Sequence, residues 1–557
     1  MTAPKARSLY RAGWKELIFQ ATYAVRSGNP TPDGDPATLS SRARTRVALS
    51  QVAASTFLGL IVLGGVSLLT PSLESFLSPA ALPPTLYITA VLGALFVVQL
   101  GLLWWLGLQF LPTFLSSAIV PVLRTLPVPA STVDRVALLL LVRLFDLPSL
   151  TCLVLTPLAV GYVLSNPWAG LAVVPAELTV VVLAMAFAVA TGRFFVRNVQ
   201  GSPGGHRATV LRWAYLVAWG LPAFALFGFV AIAPRFLALL TGLSTNGPAS
   251  GLGALLSVYP FNFAILPALV ADPGSAGVVP VAGGWAGIAA VAVVYFALVV
   301  LAGRWLLTAP GELAALTPPG RARGSAVAPV RVRAAPLAIV VKDFRLASRT
   351  PAFAFLVLIP LGDATLLGLY TAFSPLGTAD PAALAEAAVA SAALLATFFG
   401  PAFFAIEVMS YSYSRSLPMT GRSLLIGKTS LILFLYGVAA SVVLLLTLLR
   451  FFQPLEFVGF LLAEVPAVAA AALFQLGILL AVARRRGLPL VNLYTGAFWL
   501  FAVSIPGLFV SGTPLALYVL LSGSGAWSAL GVMGAFSLAE LAIVAPVVLG
   551  SFGGSAT

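Results

Sequence analysis

Residues 416–449 read SLPMTGRSLLIGKTSLILFLYGVAASVVLLLTLL, a short polar connector followed by a long apolar segment. The apolar part is as long as the roughly 20 residues with which an α-helix crosses the hydrocarbon core of a bilayer. Such a segment must be helical, because only a helix satisfies its backbone N–H and C=O groups within one segment. We therefore expect a polar turn at one face of a membrane, followed by a membrane-spanning helix.

The Gly-Lys-Thr at residues 427–429 looks like the end of a phosphate-binding loop, but its spacing is wrong. That loop needs a glycine, four residues and then Gly-Lys-Ser/Thr, between a strand and a helix. Here Arg422 stands where the first glycine belongs. We expect no nucleotide site and interpret Lys428 as a helix-end residue that reaches the headgroups or pairs with an acid such as Glu407.

The whole chain has the composition of an integral membrane protein. Of its 557 residues, 60% are hydrophobic and 9% charged, against about 25% charged in a soluble domain. One cysteine and one histidine allow neither an intrachain disulfide nor a His/Cys metal site. The net charge of +14 reflects membrane topology, because Lys and Arg flank the membrane segments, so we expect no nucleic-acid partner. We also expect no metal or cofactor in this chain.

About twelve apolar segments are long enough to span a bilayer. They are residues 48–70, 85–109, 135–163, 169–191, 212–238, 283–306, 351–373, 383–408, 429–450, 457–482, 492–512 and 527–550. Nearly all Lys and Arg flank these segments on one side of the membrane, the exceptions being Arg143, Arg235 and Arg450. Because cytoplasmic loops carry the excess of Lys and Arg, both termini should be cytoplasmic.

The chain repeats itself with an offset of 291 residues, since RTLP at 124–127 matches RSLP at 415–418 and Pro175 matches Pro466. A constant offset indicates duplication, with chance similarity among Leu- and Ala-rich helices as the alternative. Each copy holds six predicted spans, an even number, so both copies should have the same orientation in the membrane. The predicted fold is an all-α polytopic membrane protein built from two parallel six-helix repeats.

Four regions are expected along the chain: a cytoplasmic N-terminal segment (1–47), a first six-span half (48–306), a cytoplasmic linker (307–336) and a second half (337–557). Each half begins with a segment that mixes apolar and basic residues at helical spacing, at 10–30 and 337–351. This pattern favours a helix lying in the cytoplasmic interface. The linker is rich in Pro, Gly, Ala and Arg, which is typical of a flexible connection.

The connector after the second span of each half contains Arg-x-Leu-Pro. Proline removes an N–H donor and disfavours helical geometry in the preceding residue, so a short helix should end there and another begin beyond it. In the second half this break lies between an acid at the membrane edge, Glu407, and Lys428 at the next span. An ordinary charged turn that anchors topology is the alternative interpretation.

This order of residues, preceded by Lys-Asp-Phe-Arg at 342–345 and Arg-Thr-Pro at 349–351, resembles permease subunits of ABC-2 type transporters, which have the type V exporter fold. The resemblance covers nearly the whole chain, twice over. It implies interfacial helices, a cytoplasmic coupling helix between spans two and three, and a re-entrant piece between spans five and six, here 253–270. It also implies separate ATP-binding subunits, two in number, that hold ATP and Mg and act on the coupling helices.

The resemblance assigns a coupling role only where the residues match. In the second half these are Glu407, Arg415, Leu417, Pro418 and Lys428, and in the first half Arg124, Leu126 and Pro127. The first half has Ser116 in place of Glu407 and Ala137 in place of Lys428. Its coupling region is therefore degenerate.

Charged residues within the predicted spans are candidate polar sites, because intramembrane charges are costly. They are Arg143, Asp146, Asp363 and Glu540. Arg143 and Asp146 lie three residues apart on one helix face, which favours a structural pair. Asp363 and Glu540 are candidates for a substrate contact or a proton site, whereas Glu177 and Glu464 are expected near the outer surface, where they would be hydrated.

The predicted function is the membrane-spanning permease subunit of an ATP-driven exporter in a prokaryotic cytoplasmic membrane. ATP hydrolysis is expected on the partner subunits, so this chain is not itself an enzyme, and its apolar composition favours a hydrophobic or amphipathic substrate. A secondary transporter of the major facilitator kind is an alternative, although residues 110–135 lack that family's Gly-x-x-x-Asp-Arg-x-Gly-Arg-Arg pattern. A non-transporting scaffold is another, while a membrane-embedded enzyme would need clustered carboxylates or histidines.

We predict that Glu407→Ala or Arg415→Ala reduces ATP hydrolysis by the partner subunits, because the connector would transmit force less well. Membrane insertion should be unchanged, since the apolar segments remain intact. The measurement is the ATPase rate of the purified complex at equal membrane yield. A rate equal to that of the unchanged protein would contradict the coupling assignment.

Overall fold

The computed structural model describes residues 6–23, 36–70, 84–116, 119–194, 210, 261–273, 284–310, 312, 335–347, 360–368, 371, 381–404, 420–448, 454–486, 497–522 and 525–552. Every regular element in these ranges is helical. We number the α-helices that the structure describes α1 (Ala6–Tyr23), α2 (Pro36–Ser67), α3 (Pro84–Ser116), α4 (Ile119–Thr125), α5 (Ala130–Val163), α6 (Pro167–Phe194), α7 (Phe261–Ala271), α8 (Gly284–Leu306), α9 (Ala335–Ala347), α10 (Pro381–Phe399), α11 (Gly421–Leu448), α12 (Pro454–Arg486), α13 (Ala497–Leu521) and α14 (Ala526–Ser551).

Nine helices within the described ranges are long and apolar enough to cross a membrane. They lie at nine of the predicted spans, which confirms the prediction of an all-α polytopic membrane protein. A tenth predicted span, 283–306, coincides with α8. The predicted span 212–238 lies outside the described residues, and of 351–373 the structure describes residues 360–368, which are helical, and residue 371.

Proline at the first helical position starts five of these helices: α2, α3, α6, α10 and α12. The first N–H groups of a helix have no partner inside it, so a residue without an N–H loses nothing there, and its φ already suits a helix. Prolines in an apolar sequence therefore mark where several spans begin. The predicted entry segments are also helical, as α1 and α9.

One compact unit contains the helices between Gln51 and Arg197 together with α7 and α8. Within it, α6 packs against α3, α5 and α7. The α7 helix is short and apolar and follows Pro260, inside the segment predicted to be re-entrant. Its end is held by Asn166, whose Nδ2 donates to the Val270 carbonyl over 2.9 Å while its Oδ1 accepts the Trp168 N–H over 3.0 Å and caps α6.

The second compact unit contains the helices that follow Pro319. Here α12 is central, because α10, α11, α13 and α14 all pack against it. Its Gln475 lies against Gly507 of α13 and donates to the Ser504 carbonyl over 3.4 Å. Ser504 in turn donates to the Phe398 carbonyl of α10 over 2.6 Å, so that hydrogen bonds join three helices in the apolar core.

The first prediction from this packing concerns Gly170, where α6 lies against α5. A Cβ at this position would lie 2.4 Å from the Pro157 carbonyl oxygen, which belongs to the backbone and cannot rotate away. Gly170→Ala should therefore destabilise the protein by about 1–3 kcal/mol. The measurement is the apparent Tm of the protein in detergent.

Gly303→Ala is the matched control, because a Cβ on this α8 glycine meets nothing within 4 Å. It should leave the Tm unchanged or raise it slightly, since alanine favours helix over glycine. Equal Tm values for the two variants would contradict the close packing of Gly170 against the Pro157 carbonyl.

Candidate functional site

The connector between α3 and α5 is bent at Leu126 and Pro127, as the sequence predicts. The α4 helix ends at Thr125, and α5 begins at Ala130. The Leu126 N–H still donates to the Leu123 carbonyl over 3.3 Å, but Pro127 has no N–H to continue the series. The result is a helical elbow, which we define as residues 119–130.

The elbow exposes apolar and basic side chains together. Val122 is 55% exposed and Leu126 is 41% exposed, while Leu123 is buried beneath them. Arg124 lies 3.8 Å from Asp134 of α5, and both side chains are partly exposed. An exposed pair of this kind contributes at most about 1 kcal/mol, so it holds the Arg124 side chain only weakly. The elbow therefore presents two apolar side chains and one basic side chain on its exposed side.

Of the residues assigned to the second coupling region, the structure describes Lys428 alone. Glu407, Arg415, Leu417 and Pro418 lie outside the described residues. The chain is described again from Thr420, whose Oγ1 accepts the Ser423 N–H over 3.1 Å at the start of α11. The membrane-spanning helix α11 therefore follows the opening polar stretch, as the sequence predicts.

Lys428 is not at a helix end and does not reach the lipid headgroups, so that part of the sequence interpretation is wrong. It lies in the third turn of α11 and is fully buried. Its Nζ donates to Asp343 Oδ2 of α9 over 2.6 Å and to the Phe403 carbonyl over 3.0 Å. The acid paired with Lys428 is thus Asp343. Asp343 belongs to the Lys-Asp-Phe-Arg motif at 342–345, but the sequence alone did not identify it as the partner of Lys428.

The helices around this pair approach each other closely. A Cβ at Gly427 would lie 3.0 Å from the Ile339 Cβ, so α9 and α11 meet where the side chain is smallest. Phe344 and Phe434 add an edge-to-face contact with ring centroids 5.6 Å apart. Gly427 therefore allows α9 and α11 to pack closely, and Lys428 neutralises the buried charge of Asp343. The Gly-Lys-Thr sequence forms part of a junction between these two helices.

This junction, consisting of Asp343, Phe403, Gly427 and Lys428, differs from the corresponding part of the first half. Ala137, which matches Lys428, is buried, and Glu16, which follows a lysine in α1 as Asp343 does in α9, is exposed. Neither position of the ion pair therefore has a buried charge in the first half.

Three of the four candidate intramembrane charges have side-chain partners close by. Arg143 forms an ion pair with Asp146, which also accepts a hydrogen bond from Gln51 over 3.4 Å. Asp363 accepts a hydrogen bond of 2.6 Å from Ser391. These contacts offset the cost of placing charges in apolar surroundings, and the Arg143–Asp146 pair is structural, as its spacing predicts.

The fourth candidate, Glu540, lies on α14 and interacts electrostatically with Glu464 of α12. The prediction that Glu464 and Glu177 are hydrated is wrong, because both side chains are completely buried. Glu177 faces Thr156 and Gln99, which hydrogen-bond to each other over 2.9 Å. Neighbouring helices cover these carboxyls, and a single sequence does not reveal which helices will do so.

The described residues contain no group of three or more His, Cys, Asp and Glu side chains arranged to hold a metal ion. A family model described as a membrane protein of 12 TMs matches residues 54–547, which is most of the chain. The chain belongs to this family. No curated protein and no solved structure matches it.

Membership of the family accounts for twelve spans. Nine are recognised among the described helices, and the other three predicted spans are α8, 212–238 and 351–373. The protein is therefore a multi-pass membrane protein. Its family description names no substrate, partner or energy source.

The junction generates the second prediction. Lys428→Met removes one partner of a buried ion pair, which should cost up to about 3–5 kcal/mol of stability. Adding Asp343→Asn should recover part of the loss, because the two effects are coupled through one contact. The measurement is the apparent Tm of both single variants and of the double variant.

Lys342→Met is the control, because Lys342 lies 3.6 Å from Asp343 but keeps part of its side chain exposed. It should lower the Tm much less than Lys428→Met does. Additive losses in the Asp343 and Lys428 double variant would contradict the direct pairing.

Proposed function

We propose that this chain is the membrane-spanning subunit of an ATP-driven exporter whose energy comes from separate ATP-binding subunits. The observation that carries the proposal is the elbow of the first half, which breaks at Leu126 and Pro127 and exposes Val122 and Leu126 beside Arg124. Apolar side chains exposed outside the membrane-spanning helices suit a contact with another protein, and a basic neighbour adds charge selectivity. ATP and Mg would be bound on that partner.

In the second half, the junction would transmit force from the connector to the membrane helices. The connector runs from Phe404 to Thr420, and the junction joins its two ends, because Lys428 of α11 binds the Phe403 carbonyl. The same lysine binds Asp343 of α9. A displacement of the connector would therefore move α9 and α11 together with the end of the preceding span, since separating them exposes a buried charge.

The substrate proposed is hydrophobic or amphipathic, in keeping with the apolar composition of the chain. Export from a prokaryotic cytoplasmic membrane follows from the ABC-2 resemblance. Both termini are proposed to be cytoplasmic, which places the elbow on the same side as an ATP-binding partner.

A secondary transporter is the second candidate, and a specific observation favours it. Glu177 and Glu464 lie within membrane-spanning helices and are completely buried. Buried intramembrane carboxyls often form ion or proton pathways in pumps and transporters. In this case transport by the purified chain would follow an ion gradient in the absence of an ATPase.

The third prediction tests the elbow as a docking surface. The tagged protein is purified from its native membranes, and a co-purifying subunit is accepted as the partner if it has a Walker A motif and the complex hydrolyses ATP. Leu126→Ala should lower the ATPase rate of this complex several-fold, because truncating one apolar anchor of a protein interface costs about 1–2 kcal/mol.

Leu139→Ala provides the matched control, because Leu139 is exposed to a similar extent, 47% against 41%, but lies within the membrane-spanning helix α5. Its ATPase rate should equal that of the unchanged complex. Equal rates for both variants would remove the support that the elbow gives to the proposal. Gradient-driven transport by proteoliposomes that contain this chain alone would establish the second candidate instead.

A further inference from the structure

Three helices of the second unit bring ionisable side chains together inside the membrane-spanning region. Glu464 of α12 interacts electrostatically with Glu540 of α14 and with Tyr436 of α11. The Tyr436 hydroxyl donates to the Leu461 carbonyl, one turn before Glu464, over 3.3 Å. These three residues belong neither to the elbow nor to the junction.

Helices α12 and α14 pack side by side in a constant register. A Cβ at Gly534 would lie 3.6 Å from the Ala463 Cβ, and a Cβ at Gly477 would lie 2.7 Å from Val548. Both pairs are 71 residues apart, so the helices run in the same direction. In this register Glu540 lies about 7.5 Å further along the helix axis than Glu464.

The carboxyl of Glu464 is left without a conventional partner among the described residues. Its side chain is completely buried, and neither of its oxygens accepts or donates a hydrogen bond there. Glu540 Oε2 is also inaccessible and has no hydrogen bond within the described residues. An ionised carboxylate in such a position costs several kcal/mol, and a second negative charge beside it adds repulsion.

The other elements packed against α12 supply no nearby positive charge among their described residues. On α10 and α13, Glu386 accepts a hydrogen bond of 2.7 Å from Tyr518, whose ring packs 5.0 Å from Phe460. The 3-10 turn Gly400–Phe403 has no titratable side chain. Lys428 is held by Asp343, and Arg484 of α12 lies 20 residues from Glu464, about 30 Å along the helix.

A buried glutamate stands on the fourth predicted span of each half, in α6 and in α12. With Pro175 aligned to Pro466, Glu177 matches residue 468, four residues beyond Glu464. Residues four apart lie on the same helix face. Each half therefore has a buried carboxyl on this face, about one turn apart along the helix.

We propose that Glu464 and Glu540 form a membrane-embedded site that binds one exchangeable proton. The proton is taken from hydronium, leaves water behind, and is returned to water when the site empties. The bound proton neutralises one of the two carboxyls and so removes the repulsion between them. The site needs no ATP-binding partner, and it rests on the same buried Glu464 that favours the second candidate function.

The fourth prediction tests this site by chemical labelling of the full-length protein in nanodiscs. Dicyclohexylcarbodiimide is apolar and reacts with protonated carboxyls, whose oxygen adds to its central carbon while the proton moves to its nitrogen. Peptide mass spectrometry should find the label on Glu464. Above the midpoint of its pH profile, the labelling rate should fall about tenfold per pH unit, as the protonated fraction does.

Glu456→Gln is the matched control, because Glu456 lies in the first turn of the same helix and is partly exposed. It should leave the labelling of Glu464 unchanged, whereas Glu540→Gln should move the midpoint by removing the neighbouring charge. The proposal is overturned if Glu464 is never labelled, or if its labelling is the same at every pH. Protection by Na⁺ at constant pH would also overturn it, because the ligand would then be a metal cation.

Discussion

The absence of water from the core of a bilayer is the constraint on which this structure depends. Helices satisfy their own backbone groups, and a polar side chain on a membrane-spanning helix is stabilised by a partner on its own helix or on a neighbour. Gln99 does so with Thr156, Asp363 with Ser391, and Lys428 with Asp343. The positions of these contacts fix which helix faces pack together, whereas the surrounding Leu, Val and Ala side chains are much less selective.

The junction shows how one short motif can combine two physical roles. Gly427 lets α9 and α11 approach, and this approach brings Asp343 within 2.6 Å of the Lys428 ammonium group. A larger residue at the glycine would separate the charges that the lysine requires. The motif resembles a nucleotide-binding loop only in its amino-acid sequence, because its glycine and lysine face another helix of the same chain.

The sequence predicted the parts of the fold that depend on local chemistry. Apolar length predicted the spans, and Leu126-Pro127 predicted the break between α4 and α5. It did not predict the partner of Lys428, because Asp343 lies 85 residues away along the chain. It misplaced Glu177 and Glu464 for the same reason, since their burial comes from helices distant in sequence. The spans at 212–238 and most of 351–373, and four residues of the second coupling region, remain predictions.

Duplication allows two copies to diverge, but the ion pair limits the order in which they can do so. A copy that loses only the lysine keeps a buried acid without this counter-ion. A copy that loses only the acid keeps a buried ammonium group without its carboxylate. The two positions are therefore epistatic, and an intermediate with one charge is disfavoured. The first half, with Ala137 buried and Glu16 at the surface, has neither charge in a buried position. A buried ion pair in the first half would need both a lysine at position 137 and a buried acid on α1.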